Sequence, residues 1–169
     1  MIRPALNTDA TEITELWNTM IRETDVTFTT ELKLRGDVEA MIADPMRSVH
    51  VAEHNGAFAG FALLGRFRGG PGYAHTVEHT VYLMTSAQGF GLGRGLMDVL
   101  YDVAVSQNHH VMVGAISGVN TDAVAFHGKL GFVQVAAMPQ VGRKNGVWHD
   151  LILMQKILTP PADTFERTR

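Results

Sequence analysis

Thr76-Val77-Glu78-His79-Thr80-Val81-Tyr82-Leu83, followed after four residues by Gln88-Gly89-Phe90-Gly91-Leu92-Gly93-Arg94, is the stretch whose reading decides the fold. The first segment is rich in Thr, Val and Tyr, which favours a strand. Three glycines at alternate positions follow. Leu92, Leu96, Val99, Leu100 and Val103 then recur at helical spacing. Strand, glycine turn and helix start therefore come in sequence. Missing side chains let a ligand approach the backbone closely. The first N–H groups of a helix lack intrahelical partners and, with the helix dipole, favour an anion such as pyrophosphate. Gln88 and Arg94 add donors.

Two common nucleotide signatures fail here. A dinucleotide fingerprint needs G-x-G-x-x-G, but the sixth position is Leu96 counted from Gly91 and Arg94 counted from Gly89. The Gly-Lys-Ser/Thr of a P-loop is absent. The spacing fits Q/R-x-x-G-x-G, although an ordinary tight turn before a helix would use the same glycines.

His75-Thr76-Val77-Glu78-His79 matches H-x-x-E-H, an inverted zinc-protease signature. That chemistry needs a helix, where residues i and i+4 lie roughly 5–6 Å apart. On a strand they lie about 13 Å apart, at roughly 3.3 Å per residue, and cannot share one ion. No metal site is expected. Strand alternation also puts Val77, His79 and Val81 on one face and Thr76, Glu78, Thr80 and Tyr82 on the other. A mid-strand carboxylate is either a solvated edge group or a general base with a raised pKa beside a ligand.

Working outward, Ile2 to Leu6 reads as a first strand. Ile13, Leu16, Trp17, Met20 and Ile21 form one stripe of a helix after the start cluster Asn7-Thr8-Asp9. Val38, Met41 and Ile42 mark a short second helix ending before Asp44-Pro45. Residues 48–53 and 57–64 are strands around Asn55-Gly56, a hairpin signal. Residues 65–72 read as a loop and 110–116 as an apolar strand. Asn120 is an N-cap for a helix carrying Val124, Phe126 and Leu130 and stopped by Gly131. Residues 132–137 and 147–157 read as the last strands. This is a mixed α/β layered arrangement in one domain over 1–158, with a mobile tail at 159–169.

Composition narrows the function classes. The 169 residues are 46% hydrophobic and 18% charged, as expected of one folded domain. A net charge of −3 argues against a nucleic-acid binder. The absence of cysteine removes disulfides and a cysteine nucleophile, and suits the cytoplasm. No stretch has the apolar length of a membrane span.

With the turn and Glu78 in place, the chain resembles the GCN5-related N-acetyltransferase family, within it the phosphinothricin/methionine sulfoximine branch. The resemblance rests on residues 76–83 and 88–93, Asn120, His127-Gly128-Lys129-Leu130-Gly131-Phe132, Met138 to Lys144, and Trp148-His149-Asp150 through Met154-Gln155. It implies a mostly antiparallel sheet flanked by helices, with acetyl-CoA between two splayed parallel strands, those of residues 76–84 and 110–117. It implies that Val81, Tyr82 and Leu83 contact the pantetheine arm and the acetyl carbonyl. Gln88, Gly89, Phe90, Gly91, Leu92, Gly93 and Arg94 would hold the pyrophosphate, with Asn120 contacting the cofactor from the other strand.

The resemblance further implies that Glu78 is the general base and His127 the matching histidine. It points to a homodimer that acetylates a small amino-acid-like amine, the alternatives being acetylation of a protein N-terminus, a lysine or a polyamine, or a CoA-binding sensor without turnover. Phe28, Arg68, His75, Thr76, Val77 and Lys144 would form the amine pocket, Arg143 being a further cation near it. Ala74, Asn145 and Val147 depart from the arginine, phenylalanine and arginine common among relatives, which bears on the substrate rather than the reaction.

Overall fold

The computed structural model describes residues 1–158. The expected tail at 159–169 lies outside the described residues. Among the described residues, seven strands form one sheet in the order β1-β2-β3-β4-β5-β7-β6. They are β1 (Ile2–Pro4), β2 (Ser48–His54), β3 (Ala57–Arg66), β4 (Thr76–Leu83), β5 (Val111–Ser117), β6 (Val133–Lys144) and β7 (Val147–Ile157). Four α-helices of the described residues flank it: α1 (Ala10–Glu23), α2 (Arg35–Ala43), α3 (Leu92–Ser106) and α4 (Thr121–Lys129). All neighbouring strands run antiparallel except β4 and β5. The expected mixed α/β, mostly antiparallel class is therefore observed.

Alternation along β3 and β4 divides the core. Ala62, Leu64 and Val77 face Leu96 and Leu100 of α3, with Met112, Phe132 and Met154 in the same cluster. Phe61 points the other way, into Ile13, Leu16 and Val38 of α1 and α2. Tyr82 joins that second side, where its ring lies 5.8 Å from Phe61 and 6.3 Å from Trp17. The faces of β4 are those that the alternation predicts.

The last hairpin departs from the sequence reading. The strand expected to stop at Ala137 continues to Lys144. Pro139 cannot donate to a ladder, but β6 is an edge strand and its register with β7 shifts between Met138 and Gly142. In that irregularity Gln140 has φ 53, and its amide donates to Asp150 at 2.8 Å. The turn to β7 is Asn145-Gly146, with φ of 49 and 82, nearly repeating Asn55-Gly56 at 52 and 79. Asn145 is thus a turn residue. The segment read as a loop from Gly65 also begins later, since β3 reaches Arg66.

Candidate active site

The site begins where a ladder ends. β4 and β5 pair through Thr76–Val111, Val77–Met112 and Glu78–Val113, and no further. β4 stays bonded to β3 as far as Leu83–Gly60, and β5 to β7 as far as Ser117–Leu151. Each strand therefore follows its outer partner, and a gap opens beyond Glu78. Peptide groups on the inner edges of that gap have no ladder partner. A cavity of about 280 Å³ fills it, lined on the β4 side by Glu78 to Tyr82 and on the β5 side by residues 114–117. Asn120, Ala123 and His127 close one end, and Val26, Thr27 and Phe28 cover another.

The glycine turn lies past the free end of β4, where Gly93 meets Leu83 and Phe126. Gly89 and Gly91 have φ of 83 and 76, and a Cβ at either would meet nothing within 4 Å. Gly91 is the N-cap of α3 and no side chain caps the helix. Among the described residues, no backbone carbonyl takes up the amides of 89–94. Gly93 is buried, and its Cβ position lies 3.4 Å from both Leu83 and Phe126, so the helix start packs tightly on the end of β4. Open amides at a helix N-terminus with room above them fit a pyrophosphate. Asn120 caps α4, its side-chain oxygen accepting from the Ala123 amide at 3.2 Å, while also facing the cavity.

Glu78 is half-buried, and burial pushes its carboxyl above the usual carboxylate range. It borders two spaces. One is the splay cavity. The other is a groove of about 430 Å³ on the α2 side, lined by Asp44, Met46, Arg47, Leu63, Gly65, Arg66 and Thr80. The β3 partner of Glu78 is Gly65, whose missing side chain leaves open space beside the carboxylate.

The expected amine-pocket residues are not all brought together. Phe28 lines the splay cavity and stacks on His149 at 5.5 Å. Its ring fits only because position 142 is glycine, where a Cβ would fall 2.2 Å away. Arg68, Thr76 and Val77 line a neighbouring cavity, together with Arg66 and Ala74. His75 is exposed, and its Nδ1 donates to the Asn108 carbonyl at 2.7 Å, away from both spaces. Lys144 is buried, and its ammonium donates to the Thr24 and Thr27 carbonyls. It is a clamp on the segment that carries Phe28, not a free cation in the pocket. Arg143 lies over the Trp148 ring at 5.0 Å.

His127 is buried in the cavity wall. Its Nδ1 donates to the Ala123 carbonyl at 2.7 Å, and its Nε2 lies 2.8 Å from Nε2 of His79. Sequence reasoning missed this partner, 48 residues away. One signal was available in Gly114, since a lone glycine in an apolar strand marks a close approach. Among the described residues, no group of three or more His, Asp or Glu could hold a metal ion, and no helix is long and apolar enough to cross a membrane.

Known proteins resemble this chain in both sequence and fold. The model of the Acetyltransferase (GNAT) family matches residues 13–132. This chain belongs to the GNAT acetyltransferase family. It is 39% identical over 160 residues to an L-methionine sulfoximine/L-methionine sulfone acetyltransferase of Salmonella typhimurium, covering 91% of this chain and 92% of that one. It is 48% identical over 107 residues to the L-amino acid N-acyltransferase MnaT of Escherichia coli, covering 63% and 62%. The structure of yncA from Salmonella typhimurium with its cofactor acetyl-CoA superposes with a TM-score of 0.91 at 36% identity, covering 97% and 96%. The chain is therefore a GNAT acetyltransferase, as the resemblance implied, and the yncA structure it superposes on holds acetyl-CoA as its cofactor.

Proposed function

We propose that this acetyltransferase transfers the acetyl group directly to the α-amine of a small amino-acid-like substrate of the methionine sulfoximine, methionine sulfone or phosphinothricin type, with Glu78 as general base. The observation that carries this reading is the position of Glu78 in the wall between the splay cavity and the open groove at Gly65. In this reading the thioester enters from one side and the amine from the other.

Acetyl-CoA supplies an activated carbonyl and a thiol leaving group. Gly89 to Arg94 hold its pyrophosphate through their amides, and Val81 to Leu83 and Asn120 flank the arm. An amine at neutral pH is mostly protonated and cannot attack. Glu78 takes that proton, directly or through one water, and burial makes its carboxylate more basic than an exposed one. The freed nitrogen forms the new N–C bond as the C–S bond breaks, and the sulfur, leaving as thiolate, takes up the proton that the nitrogen sheds on becoming an amide. Both reactants are held together, so no acyl-enzyme is needed. Unpaired β4 amides on the gap side are suited to the developing oxyanion.

The substrate's carboxylate needs a cation. Arg66 borders both the groove and the cavity that holds Arg68, Thr76 and Val77, and it meets the amine side of Glu78 better than Lys144 does. His127 stands in the wall of the splay cavity. Homodimer formation is part of the same proposal, with Val141, Val147 and Trp148 exposed along the β6–β7 edge.

Thiol release from acetyl-CoA, measured with free amino acids, methionine sulfone, methionine sulfoximine, phosphinothricin, peptides and polyamines, tests this reading. Release with the amino-acid analogues, and an N-acetyl product by mass spectrometry, is expected. Release only with peptides or polyamines would overturn the substrate class. No release with any amine, despite acetyl-CoA binding, would overturn the activity.

A further inference from the structure

His79 is absorbed by none of the roles above, yet it occupies a particular place. It is the first β4 residue beyond the last β4–β5 rung, Glu78–Val113. The residue that would have continued the ladder on β5 is Gly114. A Cβ there would fall 3.0 Å from Cε1 of His79 and 3.5 Å from Cδ2 of His127. The two imidazoles therefore lie across a glycine, at the point where the strands part. Both are buried, and Phe132 packs against each ring at 5.2–5.3 Å.

The hydrogen bonds fix their tautomers. The Ala123 carbonyl can only accept, so Nδ1 of His127 carries a proton. In the neutral ring Nε2 is then bare and must accept from Nε2–H of His79. That leaves Nδ1 of His79 bare and buried, with no donor directed at it and the Val113 backbone nearby. A proton on that Nδ1 instead, toward Val113, would set two bare nitrogens face to face at 2.8 Å. Burial, and for His79 the neighbouring imidazole as well, keep both rings neutral by holding their pKa values below the ordinary histidine range.

We propose that His79 is a positioning residue, whose hydrogen bond to His127 across Gly114 ties β4 to α4 and sets the width of the gap that receives the acetyl thioester. The inference rests on the proposed placement of acetyl-CoA in the splay. It does not depend on which amine is acetylated. It assigns His79 no contact with the reacting atoms. Its effect is on the shape of the cleft, so it should register in cofactor affinity before it registers in amine recognition.

The test measures acetyl-CoA affinity by calorimetry with no amine present, and reads the imidazole nitrogens by 15N NMR. In the wild type, His127 should show a protonated Nδ1 and a bare Nε2, and His79 the reverse; the opposite assignment would overturn the proposal. His79→Leu removes the donor and should weaken acetyl-CoA binding about tenfold or more, the scale set by an unpaired buried nitrogen. His79→Gln restores an N–H donor and should recover most of that loss. Wild-type affinity in His79→Leu, or no recovery in His79→Gln, would overturn the role of the bond.

Gly114→Ala keeps both imidazoles but displaces the His79 ring. It should weaken binding as well, and an altered nitrogen spectrum with unchanged affinity would refute the link to the gap. A failed amine assay alongside these results would count against the proposed activity and leave the positioning role standing.

Discussion

Gly60→Ala perturbs the wall of the splay cavity from behind, through Tyr82 and Leu83 at the free end of β4. Gly60 pairs with Leu83 where β3 holds the free end of β4. An added Cβ would lie 2.3 Å from the Tyr82 carbonyl oxygen, 2.6 Å from Cδ2 of Leu83 and 2.9 Å from Cα of Leu83. A relaxed carbon–oxygen contact is about 3.3 Å or more, so the peptide must shift by roughly 1 Å. Two of the three obstacles are backbone and cannot rotate aside. Overpacking of this kind costs about 1–3 kcal/mol. The lost chain entropy of glycine would return only about 0.4–1 kcal/mol, so the net effect is destabilising. At about 2–4 °C per kcal/mol for a chain of this size, Tm should fall by several degrees. Acetyl-CoA affinity should fall with it, because residues 79–82 of the shifted strand line the cavity. Thermal melts and calorimetry check both. An unchanged Tm and an unchanged Kd would refute the claim that glycine at 60 sets the position of β4.

Gly65→Val should behave oppositely. Its Cβ meets nothing, so stability should hold or rise slightly as a strand glycine is lost, while KM for the amine increases and acetyl-CoA affinity does not change. Steady-state kinetics with an unchanged amine KM would contradict the groove as the amine entrance. Lys144→Met removes the clamp on the Thr24 and Thr27 carbonyls. It should cost about 1–3 kcal/mol and loosen Phe28, and chemical denaturation showing no loss would contradict it. Glu78→Gln should raise Tm at neutral pH. Burial raises the folded-state pKa of Glu78. The group therefore favours folding below its unfolded pKa and loses that contribution as pH rises through the folded value. The gain from glutamine should shrink toward pH 4, and melts showing a pH-independent difference would contradict the burial argument.

The fold was largely legible because its signals were local. β-branched runs, helical stripes, the Asn55-Gly56 turn and the glycine turn before α3 all act within a few residues. The splay was legible only through family resemblance, since it depends on β3 and β7 pulling β4 and β5 apart. The reading of β6 stopped at Ala137, short of Pro139, and an edge position, where proline is tolerated, is a property of the whole sheet. Lys144 looked like a pocket cation because the sequence does not show that the Thr24 and Thr27 carbonyls meet it. The His79–His127 contact joins β4 to α4 through tertiary packing, and only Gly114 hinted at it.

The central claim is that Glu78 removes the amine proton at the open end of the β4–β5 ladder. The most direct test is kcat/KM for acetyl transfer by Glu78→Gln at pH 7, with acetyl-CoA Kd measured on the same preparation. A fall on the order of 10²–10⁴-fold with nearly unchanged acetyl-CoA affinity is expected. Wild-type turnover in Glu78→Gln would contradict the account.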